Sequence, residues 1–112
     1  MSVPRLCRKL VLETPVRAAD GAGGHGVSWQ PLGTVWADVV ARTGREPVIA
    51  GRDAARIGYR ITVRGAPQGA PSRPRPEQRF REGGRIFNIL AVSEADPLGR
   101  HLVCWAEEGS AS

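Results

Sequence analysis

Glycine and proline interrupt this sequence so often that long helices are disfavoured from the start. The 112 residues include 14 glycines and 9 prolines, and both residue types break or end helices. Between the breaks, apolar and polar residues alternate, which is the period of a half-buried strand. The clearest such segment places four apolar residues at every second position: Ile57, Tyr59, Ile61 and Val63. The pattern predicts an all-β protein.

Six short segments carry this strand pattern. We expect strands over about residues 8–18, 32–41, 57–64, 78–81, 85–94 and 101–107. Short strands joined by turns are typical of a small antiparallel β-barrel or sandwich, here one domain over residues 1–112. One helical turn at residues 53–56 is compatible with the sequence. The glycine-rich segment 20–26 and the proline-rich segment 65–77 are predicted to be flexible loops, and residues 109–112 a frayed tail.

The second strand is apolar on both faces. Val35, Ala37 and Val39 share one face, whereas Trp36 and Val40 share the other. Strands covered on both sides have this composition, so we expect Trp36 to be buried and Trp29 to be partly buried. The expected core residues are Trp36, Ile61, Val63 and Ile89.

Charge is unevenly distributed along the chain. The formal net charge is +5, and residues 42–85 hold eleven arginines against four acidic residues, whereas residues 86–112 carry a net −3. Such a layout suits one surface that meets a polyanion and another that meets a basic partner, although solvated strand faces would have the same composition. The candidate residues for contact with DNA or a partner are Arg52, Arg56, Arg73 and Arg75.

No group of residues has the pattern of a catalytic, cofactor or metal site. Gly21, Gly23 and Gly26 formally match a dinucleotide fingerprint, but they lead into a strand instead of a helix. His25, Ser28, His101 and Cys104 form no recognisable nucleophile–base arrangement, and the adjacent Glu107 and Glu108 point to opposite sides of a strand. Cys7 and Cys104 lack zinc-ligand spacing. We expect buried free cysteines, no metal, no cofactor and no enzymatic activity.

Targeting and membrane signals are also missing from the sequence. No apolar run reaches the length of a membrane span, and residues 1–9 lack the apolar segment of a signal peptide. The expectation is a soluble protein that is made in the cytosol and does not bind a membrane.

Several short motifs occur in an order that resembles a known family. They are Trp29, Leu32–Val39, Gly44-x-Glu46, Tyr59–Arg64, Gly84–Ile89 and Glu107–Glu108. Together they span most of the chain and are similar to the phage head–tail joining family. These are the head-completion or stopper proteins of long-tailed phages, and similar proteins occur in alphaproteobacterial gene transfer agents. The long proline-rich segment after Arg64 departs from the family pattern.

The resemblance implies a fold, a location and a structural task. The fold would be a small β-barrel with long loops, located at the head–tail junction of a phage or gene transfer agent particle that assembles in the bacterial cytoplasm. Copies would form a ring, dodecameric by analogy, beneath the portal and its adaptor. The ring would retain packaged double-stranded DNA without sequence specificity and dock the tail terminator or tail tube protein.

Two other interpretations stay open at this point. One is a tail-terminator or tail-completion protein of the same particle, which would have similar size and β content. The other is a small nucleic-acid-binding β-barrel, which would need stacking aromatic residues on its sheet. The chain offers few candidates, since its aromatic content is 5%.

Overall fold

The computed structural model describes residues 5–19, 25–42 and 58–109. Six strands account for most of them: β1 (Arg8–Ala19), β2 (His25–Ala41), β3 (Gly58–Arg64), β4 (Arg79–Glu82), β5 (Arg85–Glu94) and β6 (His101–Gly109). The described part of the chain contains no helix, and therefore none long and apolar enough to cross a membrane. The all-β prediction with six strands is confirmed. The helical turn expected at residues 53–56 lies outside the described residues.

The six strands pair in one antiparallel sheet that closes on itself. The order around this barrel is β1-β2-β3-β6-β5-β4, and β4 pairs with β1 to complete the ring. Neighbouring strands run in opposite directions, so the connections fall at two ends. The β1–β2 hairpin, residues 65–78 and the β5–β6 turn lie at what we call the upper end. The start of β1, the β4–β5 turn and the end of β6 lie at the lower end.

The interior of the barrel is an apolar cluster to which every strand contributes. Its largest fully buried side chains include Phe80 and Phe87, and Tyr59 meets Phe87 edge to face at 5.0 Å between ring centroids. Ile61, Val63 and Ile89 belong to this cluster. Inward side chains come from alternate positions of each strand, because successive residues of a strand point to opposite sides.

A β-bulge in β2 lies where the β1–β2 pair leaves the closed ring of strands. Leu12 pairs with Gly33 and Glu13 pairs with Pro31, so one residue of β2, Leu32, is unpaired between them. Leu10 and Leu12 point into the barrel as the alternation predicts, but Glu13 is also buried and Val16 is exposed. Glu13 keeps the alternation, because it points to the side opposite Leu12 and is buried outside the barrel interior, whereas Val16 is exposed because only β2 pairs with β1 beyond the bulge. The predicted single apolar face of β1 therefore ends at the bulge.

Beyond the bulge, β1 and β2 continue as a two-stranded arm. The pairing extends from Thr14 with Gln30 to Ala19 with His25, and no other strand pairs with these residues. The second strand therefore begins at His25 and not at Leu32, and the predicted loop 20–26 is wrong at its end because Gly26 pairs with Ala18. Residues 20–24 lie outside the described residues.

Trp36 is on the outer surface, which corrects the prediction that it is a core residue. Its relative exposure is 54%, and that of Val40 on the same face is 39%, whereas Ala37 between them is fully buried. The alternation in β2 was interpreted correctly, but a closed barrel encloses only one face of each strand. Within the described residues, this second face is only bordered by other parts of the chain, such as Leu6 and Ala66, and is not enclosed. An apolar face in the sequence can thus mark a surface for another molecule.

Candidate functional site

The loop at residues 65–78 carries two of the four predicted contact arginines. Short turns hold it, with hydrogen bonds from the Ala70 amide to the Pro67 carbonyl (3.1 Å) and from the Arg73 amide to the Ala70 carbonyl (3.0 Å). Pro74 is fully buried. The loop therefore has local contacts that the sequence did not indicate, and its mobility in the free protein stays a prediction. Arg52 and Arg56 lie outside the described residues.

Arg73 and Arg75 have different environments although only one residue separates them. Arg73 is half-buried, and its Nη1 donates to the Ala66 carbonyl at 2.9 Å, so it braces the loop. Arg75 is exposed, and only its backbone is engaged: its amide donates to Gln78 Oε1 at 2.8 Å and its carbonyl accepts from the Gln78 amide at 3.2 Å. Of these two arginines, only Arg75 presents its guanidinium freely to solvent, where it can contact a phosphate or a carboxylate.

A buried ion pair outside the barrel interior was missed by the sequence analysis. Arg79 Nε donates to Glu13 Oε1 at 2.7 Å, and both side chains are less than a tenth exposed. The Trp29 ring packs against the Arg79 guanidinium, which lies 4.0 Å from its centroid. We call these three residues the arm cluster, because they fasten the root of the arm to β4. The β1–β4 pairing that places Glu13 beside Arg79 gave no signal in the sequence.

A second ionic group, the rim network, lies at the lower end. Its five members come from five strands: Arg8, Tyr59, Glu82, Arg85 and Glu108. Arg85 Nε donates to Glu108 Oε2 at 2.9 Å, and the Tyr59 hydroxyl donates to Glu108 Oε1 at 3.1 Å. Arg8 Nε donates to Glu82 Oε2 at 3.0 Å. These contacts tie the start of β1 to the end of β4, and the end of β6 to the starts of β3 and β5.

Hydrogen bonds from arginine lower the pKa of both carboxylates in the rim network. Arg85 is the main cause for Glu108, with Tyr59 adding to it, and Arg8 is the main cause for Glu82. Burial acts in the opposite direction on both groups and is outweighed. Ionised carboxylates that accept charged hydrogen bonds behave in this way. Both carboxylates of the rim network are therefore ionised near neutral pH.

The exposed face of β2 borders a groove of about 350 Å³. Its lining includes Leu6, Trp36, Arg64 and Ala66. Lys9 is the cross-strand neighbour of Trp36 on β1, so two cations flank the exposed indole. We call this surface the Trp36 groove. Exposed tryptophan and arginine side chains, here Trp36 and Arg64, are enriched at protein contact surfaces.

The residues considered for catalysis are not brought together. His101 and Cys104 are three positions apart on β6, so they face opposite sides of the sheet. Ser28 donates weakly to the Val16 carbonyl at 3.5 Å in the arm. The side chain of His25 lies outside what the structure describes. Within the described ranges, no three or more His, Cys, Asp or Glu side chains are grouped to hold a metal.

Both cysteines are free thiols, but only one is buried. Cys104 is in the core, and burial raises its pKa to about 12 even though the nearby Arg73 acts to lower it. Cys7 is exposed, so the prediction of two buried cysteines is wrong for Cys7. It precedes β1, outside the closed ring of strands. The two thiols should differ strongly in reactivity at neutral pH.

Comparison with known proteins finds one matching family model and two similar solved structures. The family described as phage head completion protein matches residues 1–109. A chain in the virion of a native gene transfer agent particle is 55% identical, with a TM-score of 0.80 over 97% of this chain and 100% of that one. Protein SF1141 from Shigella flexneri 2a is 22% identical over the whole of both chains, with a TM-score of 0.69, and shares the fold. A search of curated proteins finds no match.

The family match and the gene transfer agent match identify a structural protein of a phage-like particle, and the all-β fold agrees with them. Its ordered features are an apolar barrel, two ionic clusters and exposed contact residues on its outside. The chain belongs to the phage head completion protein family. It is a head-closure component located in the virion, where it associates with other virion proteins. The resemblance drawn from the motif order is confirmed.

Proposed function

We propose that this chain closes the filled head of a gene transfer agent particle and has no enzymatic activity. The observation that carries the proposal is the 55% identity, over nearly the whole chain, to a protein in a gene transfer agent virion. The extent of that identity favours the same place in the particle, since it includes the barrel, the arm and the loop 65–78 together. Head closure needs contact surfaces and no reacting group.

The proposed partners are the portal and its adaptor on the head side, and the tail terminator or tail tube protein on the other. Copies of the chain form a ring, dodecameric by analogy with the family. A barrel with connections at two ends suits this position, because each end can face a different partner. The lower end is rigidified by the rim network, and the upper end carries the arm and the loop 65–78.

Within this ring, the loop 65–78 approaches the DNA channel. Arg75 supports the proposal, because its guanidinium is exposed and makes no side-chain contact within the described residues. Arginine on a loop attracts phosphate without reading bases, and the attraction is screened at physiological salt, so that DNA can leave later. Arg73 contributes by bracing the loop, while Arg52 and Arg56 remain candidates from the sequence.

Deletion and complementation in a particle-producing strain test head closure. Without the chain, we expect heads that package DNA but carry no tails and lose nuclease protection of their DNA. The wild-type gene should restore both properties. Tailed particles that form normally and protect their DNA in the deletion strain would contradict the proposal. Heads without DNA would instead indicate a role in packaging.

Charge reversal separates the DNA role from the structural role of the loop. Arg75→Glu should leave incorporation of the chain unchanged but lower the fraction of nuclease-protected DNA. Arg73→Glu should reduce incorporation, because it removes the hydrogen bond to Ala66 that braces the loop. Arg17→Glu, the same charge change on the exposed part of the arm, is the control and should protect DNA normally. Loss of incorporation with Arg75→Glu would indicate that this arginine contacts an acidic protein.

A further inference from the structure

The sheet is open along one side of β2, next to the Trp36 groove. Pairing of β2 with β3 ends at Ala37 and Val63, whereas β2 continues toward the arm. Among the described strands, only β1 pairs with this continuation. We call the unpaired side of residues 33–35 the open edge, which the bulge and Pro31 interrupt further along because proline has no N–H. An open edge carries backbone groups that can pair with another strand.

The chain after β3 is held away from the open edge. The Gly65 amide donates to the Arg100 carbonyl at 2.7 Å, which ties this segment to the β5–β6 turn. The close approach requires glycine, since a Cβ at this position would collide with the Gly99 carbonyl oxygen. Residues 64–66 form one wall of the groove and residues 34–36 form the other, and the space that they line is about 350 Å³. Backbone contacts thus hold the groove open in the single chain.

The backbone amide of Thr34 faces the open edge. The Arg42 amide donates to the Gly58 carbonyl at 2.8 Å, so even-numbered residues of β2 direct their backbone groups toward the β3 side. No bulge interrupts β2 between Thr34 and Arg42, because the register with β1 shifts only beyond Gly33. Thr34 therefore has the same orientation, but no described strand lies opposite it. Within the described residues, its N–H is a donor without an acceptor.

The side chains at the open edge define the chemistry of a strand that could pair there. Val35 is half-buried and packs against the core, whereas Trp36 is exposed on the outer face. Lys9 and Arg64 flank the indole, and within the described residues neither cation has an ion-pair partner. Asp38, also on this face, is engaged by a backbone amide at 3.4 Å. Because successive side chains of a strand point to opposite sides, the site suits apolar side chains toward the core and acidic ones toward the cations.

Another copy of this chain is a poor source of such a strand. Most carboxylates of the described residues are already engaged by arginine or by backbone amides, as in the arm cluster and the rim network. The exceptions in these ranges are Glu77 and Glu94. The cations would also attract DNA, but duplex phosphates gain nothing from the apolar surface of Val35 and Trp36. The combination favours an acidic segment of a different protein.

We propose that an extended acidic segment of another particle protein pairs with the open edge as an added strand. A backbone carbonyl of the segment accepts from the Thr34 amide, its apolar side chains pack on Val35, and its carboxylates pair with the two cations beside Trp36. In strand addition, main-chain hydrogen bonds provide affinity and side-chain contacts provide specificity. The inference rests on the proposed function, since the segment belongs to a protein on the head side or the tail side of the ring.

Proline substitution tests strand addition without disturbing the pairing with β1. Thr34→Pro removes a donor that faces away from β1, which is where an edge strand tolerates proline. Incorporation of the chain into particles should fall about tenfold if the segment comes from the head side, and tail attachment should fall instead if it comes from the tail side. Val27→Pro is the matched control. Val27 lies in the arm and, like Pro31, directs its backbone nitrogen away from β1, so this variant should leave both quantities unchanged.

Two further measurements decide how the result of Thr34→Pro is interpreted. Melting temperatures near the wild-type value, for both purified proline variants, show that the fold is intact. Normal incorporation together with normal tails in Thr34→Pro particles would overturn the proposal. The deletion strain separates this outcome from the proposed function, because a chain that is needed for head closure but tolerates Thr34→Pro must close heads through another surface.

Charge reversal tests the same groove without a change in the backbone. Arg64→Glu should lower the same quantity as Thr34→Pro, and this result decides the question if the proline variant does not fold. Arg17→Glu, on the exposed part of the arm, is the matched control. Absence of any effect from Arg64→Glu would contradict the proposal. Loss of nuclease-protected DNA, with normal incorporation and normal tails, would mean that the groove meets DNA, and this would overturn it as well.

Cross-linking in purified particles identifies the occupant of the groove. The background is Cys7→Ser, because Cys7 is the exposed native thiol and Cys104 is buried. Ser72→Cys places a thiol on the groove lining, and Gly84→Cys, the control, places one at the lower end, where an added Cβ meets nothing within 4 Å. The reagent couples to the thiol and reacts with nearby groups on illumination.

Only the thiol on the groove lining should give the expected adduct. The linked partner should be a different particle protein, and mass spectrometry should place the link in a peptide in which acidic and apolar residues alternate. An adduct between two copies of this chain would mean that a second copy occupies the groove. That result, an adduct with DNA, or no adduct at all would each overturn the proposal.

Discussion

The arm cluster and the rim network both join arginine to glutamate across strands, but they lie in different environments. In the arm cluster, Arg79 and Glu13 are 4% and 6% exposed, and Trp29 packs against Arg79. In the rim network, the Arg85 side chain is 41% exposed and that of Glu108 is 31%. Similar chemical groups at similar distances are thus withdrawn from water in one region and accessible to it in the other.

This difference determines what each cluster contributes to stability. A buried ion pair attracts strongly but costs desolvation, so removal of one partner leaves a charge that water cannot reach. An exposed pair is screened by water and salt, and its removal costs little. The arm cluster should therefore behave as a single structural unit, whereas the rim network should respond gradually to solution conditions.

The largest effect is expected from removal of the arginine in the arm cluster. Arg79→Ala leaves the Glu13 carboxylate buried without its closest partner, which costs about 3 to 5 kcal/mol. A small domain has about 5 to 15 kcal/mol of total stability, so the loss should be evident in a urea titration. Arg81→Ala is the control, because Arg81 is exposed and its Nε is 3.5 Å from Glu13 Oε2. Equal losses of unfolding free energy for Arg79→Ala and Arg81→Ala would mean that burial of the arginine does not determine the cost of its removal.

A paired substitution sharpens the same point. Arg79→Met combined with Glu13→Gln removes both charges and keeps similar side-chain volumes. Because no uncompensated charge remains, the double variant should be more stable than Arg79→Ala. The measurement is again the free energy of unfolding from urea titration. If the double variant is as unstable as Arg79→Ala, packing of the arginine stem matters more than its charge.

Alanine substitutions of the two tryptophans on β2 should give the next largest losses of stability, and the two losses should differ. Trp29→Ala removes the stacking of its ring on Arg79, with an expected cost of about 2 kcal/mol. Trp36→Ala should cost less than about 1 kcal/mol in the isolated protein, because surface substitutions change stability little. Thermal melts of both variants, in parallel, measure the contrast. A larger loss for Trp36→Ala than for Trp29→Ala would show that the outer face of β2 is covered in the free chain.

Much of the fold was predictable because strands have a short, local signal. The limits of β5 match the prediction at Arg85 and Glu94, where an apolar run is bounded by charged residues and turns. β2 was predicted seven residues too short, because His25–Pro31 includes Gly26 and Pro31 and has little apolar periodicity. The arm depends on pairing with β1, which no single segment encodes.

The contact surfaces were less predictable, for a related reason. Trp36 was assigned to the core because a hydrophobic residue is expected to be buried. Hydrophobicity does not show whether the same chain or another molecule buries it. Glu13 and Arg79 are 66 residues apart, and only the β1–β4 pairing brings them together. Arg75 was identified from its position in a proline-rich loop, but its difference from Arg73 depends on one hydrogen bond to Ala66.

The rim network should give a smaller effect that depends on salt. Arg85→Ala removes the contacts to Glu108 and Tyr59 and should cost about 0.2 to 1 kcal/mol at low ionic strength. The cost should shrink further in about 1 M salt, where the screening length falls to about 3 Å. The loss from Arg79→Ala should change less, because its partner is buried. Equal salt dependence of the two variants would remove the distinction between the clusters.

The smallest expected effect is a loss of stability in acid that arises from the rim network. The folded-state pKa values of Glu82 and Glu108 are lowered from the ordinary 4.5, chiefly by hydrogen bonds from Arg8 and Arg85. A lowered folded-state pKa means that the unfolded chain binds protons first as the pH falls. The contribution is therefore complete above about the ordinary carboxylate pKa and is lost as the pH falls through the lower folded-state values.

Melting temperatures measured across this acidic range check that prediction against a matched variant. The double variant Glu82→Gln and Glu108→Gln cannot lose these charges, so its stability should fall less steeply than that of the wild type as the pH decreases. The two proteins should converge at the lowest pH, where the wild-type carboxylates are protonated as well. Parallel curves over the whole range would show that the arginine contacts of the rim network are no stronger in the folded protein than in the unfolded chain.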